Sequence, residues 1–260
     1  MKKLIFYSSF FILFLLYLNA AAQNVALGIQ GGISIPNLSA GGSNQNPLNT
    51  GYSSRFGPDA GIYAELKISG LFSIQPMLEY SSQGGKKDGL QAFPTPPQLA
   101  PLFQPNPAPT YLYANFNSTA ELNYLMLPIL AKVGWNFESS PLRFFVDAGP
   151  FLGYLVYAKQ ITSGSSQYYT DPGGTMPLPG GAHSFDNTQD IKDQLHTANV
   201  GIEGNVGLAY KFSKSYIFIQ GGGNYGFLNI QKGTANGKNN TGAATASFGY
   251  SFWLDKQMKF

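Results

Sequence analysis

The sequence predicts an all-β fold, an eight-stranded antiparallel up-and-down transmembrane β-barrel with long extracellular loops and short periplasmic turns. Eight segments alternate apolar and polar residues with a period of two, which is typical of strands whose two faces meet different surroundings. Long and short connections also alternate along the chain, as they do in outer-membrane barrels. Finally, only 11% of the residues are charged, whereas an ordinary soluble domain has about 25%.

The N-terminal residues have the layout of a secretory signal peptide. Two lysines follow the first methionine, and an apolar stretch at 4–18 leads to small residues that end with Ala22. Fifteen apolar residues are few for a membrane anchor, which is the alternative interpretation. We therefore predict a signal peptide at 1–22 and a barrel domain at 23–260. The chain has no cysteine, which excludes disulfides and a lipid-accepting cysteine.

The charge balance excludes some classes of protein. Without the two lysines of the signal peptide, 14 of the 16 basic residues remain against 13 acidic ones, so no nucleic-acid partner is expected. No later segment is long and apolar enough for a membrane-spanning helix, which needs about 20 residues. A membrane protein of this composition is therefore expected to cross with strands.

The eight alternating segments have similar lengths and are separated by connections of two kinds. The segments are 25–35, 56–68, 72–81, 122–135, 143–157, 199–212, 216–227 and 243–254. The long connections are 36–55, 82–121, 158–197 and 231–242, and the short ones are 69–70, 136–142 and 213–215. One rim therefore has four long loops, and the other has tight turns and both termini.

Alternation by itself also fits a soluble barrel with an apolar interior. The rhythm of the loops, a polar face with few charges and aromatic residues near the outward strand ends all favour a membrane barrel. These aromatic residues are Phe56, Tyr80, Trp135, Phe212, Phe227 and Phe252. The predicted location is the outer membrane of a Gram-negative bacterium, with lipids and lipopolysaccharide around the wall.

Three prolines fall about midway along three successive segments. Pro76, Pro128 and Pro150 cannot donate to a strand ladder, because proline has no N–H. We predict that the three lie at similar height, where they weaken the ladder and bend the wall through a bulge or kink.

Nine charged residues lie in the phase assigned to the lumen. Five acids and four bases could pair across strands and plug a barrel that is only wide enough for its own side chains. We therefore predict no diffusive pore, and the alternative is a path for protons or ions. The nine are Asp59, Glu65, Lys67, Glu79, Lys132, Arg143, Asp147, Glu203 and Lys211.

The third long loop contains both histidines of the chain, His183 and His196. If the loop is helical, His196 shares one face with three aspartates, which would suit a divalent metal or acid–base chemistry. The aspartates are Asp186, Asp190 and Asp193. We expect instead the solvated face of a loop helix, with Ile191 and Leu195 packed on the rim.

A pair formed by His183 and the adjacent Ser184 would suggest an esterase, but neighbouring side chains seldom form a nucleophile and base. No catalytic residue, no metal ligand and no cofactor is therefore predicted.

The second long loop is rich in proline and aromatic residues between Phe93 and Tyr113. This composition predicts an extended, semi-rigid loop of polyproline II without regular pairing. The loop could present an apolar surface to a protein or glycan, or it could fold over its own barrel mouth.

Several strand sequences resemble a known family. SIQPMLEYSSQG, LNYLMLPILAKVGW and FFVDAGPFLGYL, in this order and spacing, resemble the PorT-like outer-membrane barrel family of Bacteroidota, as does the GIQGGISIPNLS start. SFGYSFWL in the last segment also resembles the signal that the barrel-insertion machinery reads. The resemblance implies an eight-stranded outer-membrane barrel, and the name-giving family member is linked to protein secretion.

We therefore expect a non-enzymatic outer-membrane barrel that acts as a structural, binding or accessory component of a secretion or assembly complex. Its contacts with a protein partner would use the long loops. The alternative is a small barrel enzyme that acts on lipid or peptide at the outer leaflet, with the segment from His183 to His196 as its candidate site.

Overall fold

Eight antiparallel strands form a closed ring in the computed structural model, which describes residues 25–40, 46–233 and 237–254. Each strand pairs with the next in the chain, and the last pairs with the first. The strands are β1 (Val25–Ala40), β2 (Gly57–Lys67), β3 (Phe72–Lys87), β4 (Asn117–Asn136), β5 (Leu142–Ser163), β6 (Ala198–Lys211), β7 (Ser215–Gly226) and β8 (Asn239–Trp253). The predicted fold is confirmed, and the predicted signal peptide lies outside the described residues.

The long connections at one rim contain short elements of their own. We name these loops L1 (41–56), L2 (88–116), L3 (164–197) and L4 (227–238). L2 holds the strands Leu90–Pro94 and Tyr111–Asn115 and the 3₁₀ helix Pro97–Phe103. L3 holds the strands Ser165–Ser166, His183–Ser184 and Asn187–Asp190 and the 3₁₀ helix Lys192–Gln194. None of the helices in the described ranges could cross a membrane.

The two faces of the wall follow the predicted alternation. On β4, Leu125, Leu127 and Ile129 are exposed, whereas Tyr124 and Lys132 point inward and are buried. The other strands repeat this pattern, so the apolar set faces outward and the polar set faces the lumen. Such a wall is stable in a hydrocarbon environment, because a closed barrel satisfies its backbone groups internally.

Aromatic side chains mark both edges of the outward apolar band. Near the periplasmic turns, the rings of Trp135 and Phe144 stack with centroids 5.8 Å apart. At the other edge, Leu125 pairs with Tyr80 on one side and Tyr154 on the other. The ten residue steps from Leu125 to Trp135 span about 25 Å at roughly 3.3 Å per residue and a tilt of about 40°. This matches the height of an apolar membrane band.

Several strands continue beyond this band, where the sequence predicted loops. β1 extends to Ala40, β3 extends to Lys87, β4 begins at Asn117 and β5 extends to Ser163. Above the band neither face meets lipid, so the apolar–polar alternation fades although the ladder continues. The first three long loops are consequently shorter than predicted, and the wall rises above the membrane.

The three central prolines lie at one height, as predicted. Pro76 is paired with Ile129, the neighbour of Pro128. Pro128 is paired with Phe151, the neighbour of Pro150. The prolines of three adjacent strands therefore stand within one residue of each other in register.

The ladder is interrupted at this height, and its register is unchanged. Between β3 and β4 the pairing skips Met77 and Leu78, and between β4 and β5 it skips Ile129 and Leu130. The predicted weakening is confirmed, but the bulge considered there is absent. The register shift between β4 and β5 falls instead between residues 123 and 124.

Two apolar clusters fill the interior at different heights. The lower cluster includes Tyr63, Phe145 and Trp253 near the periplasmic end. The upper cluster, which we call the apolar cap, joins inward residues of the wall to residues from the loops. Its members are Leu38, Ala120, Leu122, Tyr124, Met126, Phe151, Leu155, Ala158, Ile191, Leu195 and Ile230, with Tyr52 packed against them. The predicted packing of Ile191 and Leu195 on the barrel rim is confirmed.

Candidate functional site

The periplasmic half of the lumen holds a carboxylate with several partners. Glu65 is 0% exposed, and its Oε2 lies 3.1 Å from the Lys132 ammonium. Ser73 donates to its Oε1 at 2.9 Å and Tyr216 donates to its Oε2. Arg143 adds a second positive charge 3.9 Å from Oε1. The predicted pairing of lumen charges is confirmed for this group, which we call the lower ion cluster.

A second group of lumen acids is arranged differently. The Glu79 carboxyl lies close enough to the carboxyls of Asp59 and Glu203 to interact electrostatically with both. The Asn205 amide donates to Asp147 Oδ1 at 2.9 Å and to Glu203 Oε1 at 3.1 Å. These four acids form what we call the acid layer.

The predicted pairing of lumen acids with bases is not found in the acid layer. Among the described residues, no ion pair within 4.0 Å reaches any of its four acids. The lumen bases lie on strand segments near the periplasmic turns, where Lys132 and Arg143 both approach Glu65. In the acid layer a hydroxyl donates to Asp59 Oδ2 at 3.1 Å and the Asn205 amide donates to two other acids. One oxygen of each of Glu79, Asp147 and Glu203 is buried without a hydrogen-bond partner among the described residues.

The centre of the barrel is packed with side chains. Glu65 is 0% exposed, Asp147 is 1% exposed and Glu79 is 2% exposed, so water has almost no access to these side chains. Phe145 and Leu130, each 1% exposed, fill the same region. Side chains therefore fill the lumen at this height, as expected for a barrel that is only wide enough for its own side chains.

L2 and L3 pack on each other above the mouth. The strands Leu90–Pro94 and Tyr111–Asn115 form a hairpin in L2. Tyr113 and Tyr169 of the two loops exchange backbone hydrogen bonds of 2.9 and 2.8 Å. A cluster of rings holds the contact, with Phe116 and Phe185 stacked 4.3 Å apart and Phe93 at 5.6 Å from Phe185.

L1 and L4 are tied into the same body. The backbone N–H of His196 in L3 donates to the Ile230 carbonyl of L4 at 2.8 Å. Asn49 of L1 donates through its amide to the Lys238 carbonyl at 2.8 Å. All four loops are therefore joined through their described residues, and we call this assembly the extracellular head.

The prediction of an unpaired polyproline loop is corrected by this arrangement. The ends of L2 pair as a hairpin because the prolines are concentrated between them, in the tip from Pro96 to Pro109. Part of that tip is the 3₁₀ helix Pro97–Phe103. Leu102 in the tip is 57% exposed, so the base of L2 covers the mouth and its tip projects. Of the two roles weighed for this loop, the cover over its own barrel mouth is found at the base of L2.

The segment with the histidines and aspartates is not one helical face. Asn187–Asp190 is a strand that pairs with β5, and only Lys192–Gln194 forms a 3₁₀ turn. Asp186, Asp190, Asp193 and His196 therefore do not share a helical stripe, because strand pairing with β5 replaces the helix. In the described ranges no three His, Cys, Asp or Glu residues come together as a metal site.

His183 and Ser184 have separate partners. The His183 ring stacks on Tyr168 with centroids 4.4 Å apart. Ser184 donates to Asp186 Oδ2 at 3.1 Å, and Asp186 Oδ1 accepts the Gly164 N–H at 3.0 Å. Successive side chains of a strand point to opposite faces, so this strand directs the two side chains apart.

The sequence pattern did not predict one inward-facing residue of the upper wall. Lys87, the last residue of β3, points inward beneath the head and is 7% exposed. The alternation of Ser73, Gln75, Glu79 and Ser81 continues past the predicted strand end to this lysine. Extending the period of two through the loop would have placed Lys87 on the lumen side.

The comparisons with known proteins concern the barrel as a whole. A family model described as "Outer membrane protein beta-barrel domain" matches residues 21–232. A search of curated proteins finds no match to this chain.

Several solved structures have a similar arrangement of strands. Neisserial surface protein A is 12% identical over 88% of this chain and 98% of its own, with a TM-score of 0.38. OprG from Pseudomonas aeruginosa is 8% identical over 88% of this chain and 96% of its own, with a TM-score of 0.36. The outer membrane protease OmpT from Escherichia coli is 9% identical over 89% of this chain and 97% of its own, with a TM-score of 0.35. Likeness at this level carries no argument about activity.

Proposed function

Because the chain belongs to the family of outer-membrane β-barrel domains, we propose that it is a non-enzymatic surface component that presents a fixed binding head on a closed barrel. The packed lumen supports a scaffold rather than a channel. The observation that carries the proposal is the packing of L2 on L3, which converts two long loops into one ordered surface.

The projecting tip of L2 is the proposed contact surface for a protein partner. It has an exposed apolar residue, Leu102, and its prolines restrict the backbone, so little conformational entropy is lost when a partner binds. The PorT-like resemblance of the strands suggests that this partner belongs to a secretion or assembly complex. Membrane lipids and lipopolysaccharide are the proposed surroundings of the wall.

The alternative of a barrel enzyme would have to use His183, Ser184 and Asp186. The histidine is engaged with Tyr168, and the carboxylate holds the Gly164 backbone. A nucleophile needs a base within hydrogen-bond reach, and these contacts favour a structural role for the segment. We therefore retain binding as the proposal.

A deletion of the L2 tip tests the proposed contact. The backbone N–H of Thr95 donates to the Thr110 carbonyl at 3.1 Å, so the two ends of the tip lie side by side. A two-residue Asn-Gly turn between Thr95 and Thr110, in place of residues 96–109, should therefore close the hairpin. The measurement is cross-linking in native membranes with affinity purification and mass spectrometry. We expect a partner that wild type captures and the deletion loses. Replacing Leu102 by Ser should weaken the capture, and replacing the exposed Glu138 in a periplasmic turn should not.

Two results would contradict the proposal. Equal capture by wild type and the deletion variant would exclude the tip as the contact. Conductance at porin-like levels in planar bilayers would contradict the closed scaffold.

A further inference from the structure

A cavity of about 260 Å³ lies between the barrel mouth and the extracellular head. Its apolar walls include Leu122 of β4, Leu195 of L3 and Ile230 of L4. Its polar lining consists of lysine, glutamine, serine and tyrosine side chains, and no described acidic residue lines it. The volume is slightly below the range of about 300–1,000 Å³ for sites of drug-sized ligands. The cavity therefore suits a small molecule with an apolar part.

Lys87 brings a buried positive charge to this cavity. Its ammonium donates to the Leu48 carbonyl at 2.8 Å and lies 4.5 Å from the centroid of the Tyr52 ring. Among the described residues it has no carboxylate within ion-pair distance. The neighbouring Lys86 differs, because its side chain is 42% exposed and lies 3.1 Å from Asp88.

A buried charge without a counter-ion is costly. A carbonyl and an aromatic ring each stabilise an ammonium, but neither neutralises it, and burial of an unpaired charge costs several kcal/mol in general. An anion that enters the cavity would supply the missing negative charge. The absence of acidic residues from the lining means that such an anion would meet no like charge there.

We propose that this cavity binds a small organic monoanion, a carboxylate on a compact apolar body, with the carboxylate on Lys87 and the body against Leu122, Leu195 and Ile230. Both halves of the site are needed for affinity. The positive charge selects the anion, and burial of the apolar body contributes about 25 cal/mol per Å². The site is distinct from the L2 tip and does not depend on a protein partner.

Three matched probes test the two halves separately. Phenylacetate has both the charge and the apolar body, phenylacetamide has the body without the charge, and acetate has the charge without the body. Isothermal titration of the full chain in detergent micelles, against protein-free micelles, gives the dissociation constants. We expect phenylacetate to bind at least about tenfold more tightly than either other probe, because charge-assisted hydrogen bonds and burial each contribute more than about 1.4 kcal/mol.

Two neighbouring lysines provide the variant and its control. Lys87→Gln should weaken phenylacetate binding about tenfold or more and leave phenylacetamide binding unchanged. Lys86→Gln should bind all three probes like wild type, since Lys86 faces solvent. Heat-modifiable migration on gels checks that both variants fold.

The proposal is overturned by any of three results. Phenylacetate could bind protein-containing and protein-free micelles equally, it could bind no better than phenylacetamide, or the folded Lys87→Gln variant could bind it as well as wild type. If Lys87→Gln does not fold, the ratio of phenylacetate to phenylacetamide affinity in wild type decides the question.

Discussion

The barrel buries two lysines in opposite ways. Lys132 in the lower ion cluster is 2% exposed and lies 3.1 Å from the Glu65 carboxylate. It also donates to Gln75 Oε1 at 3.0 Å. Lys87 beneath the extracellular head is 7% exposed and has a carbonyl and a ring as partners.

The difference separates a structural charge from a charge available to a ligand. At Lys132 the fold supplies the counter-ion, so the pair stabilises the lumen and has nothing further to bind. At Lys87 the wall and loops supply dipoles and a ring, and the negative charge is missing from the described residues. Both lysines are buried, so the missing counter-ion, and not burial, distinguishes Lys87 as a candidate ligand site.

The largest expected effect comes from removing the carboxylate partner of Lys132, which would leave this lysine without a counter-ion, as Lys87 is among the described residues. Glu65→Gln removes the counter-ion and leaves two buried cations, so we expect the free energy of unfolding to fall by about 3–5 kcal/mol. Denaturant titration of the folded barrel in micelles measures it. Glu138→Gln in the exposed turn after β4 is the control and should be neutral. A neutral Glu65→Gln would show that the pair is not structural.

The head must be folded for Lys87 to be covered at all. Phe116 is 8% exposed and stacks on Phe185, so Phe116→Ala should destabilise the head by about 3 kcal/mol. We expect faster protease cleavage in L2 and L3 while the barrel remains heat-modifiable. Leu102→Ala, at an exposed position of the same loop, should cleave like wild type. Equal cleavage of the two variants would mean that the ring cluster does not hold the loops.

Ligand binding at Lys87 should depend on pH. Burial lowers the pKa of Lys87 to about 8, so its ammonium is charged below pH 8 and is lost above it. Burial raises the pKa of Tyr52, the titratable group in contact with it, so the phenol stays neutral in this range. Phenylacetate affinity should be constant at pH 6–7 and fall by up to about tenfold per unit above pH 8. A flat profile from pH 7 to 10 would contradict binding to the Lys87 ammonium.

The smallest effect is expected in the acid layer. Glu79→Gln removes a carboxyl that contacts other carboxyls, so no cation loses a partner and a repulsive contact is relieved. The free energy of unfolding at pH 7 should stay within about 1 kcal/mol of wild type or rise. A loss as large as that of Glu65→Gln would place a stabilising charge beside Glu79 that the described contacts do not include.

The membrane-embedded part of the fold was predictable because lipid imposes a period of two on every strand. Leu125, Leu127 and Ile129 alternate with buried residues for that reason, and the height of the three prolines followed from the same register. The strand ends were not predictable in this way, since the wall above the membrane has no lipid-facing side. Lys87 was missed because it lies in that upper part.

Contacts between distant segments explain the other differences. The sequence shows how many charges face the lumen, but not that Lys132 and Arg143 both approach Glu65. Likewise, the spacing of Asp186 and Asp190 is compatible with a helix, but this segment pairs with the free edge of β5 and forms a strand instead. Partner choice in these cases is set by packing and register, which alternation alone does not contain.

The pairing of Asn187–Asp190 with Lys159–Thr162 affects how other chains can meet this wall. A strand edge with free N–H and C=O groups invites an additional strand from a neighbouring molecule. L3 occupies the edge of β5 above the membrane with four residues, all exposed and ending in a carboxylate, and a short, charged edge is a poor template for further pairing. Recognition at this side of the molecule must therefore rely on side chains, and the proteins can stand close together in the membrane without joining into continuous sheets.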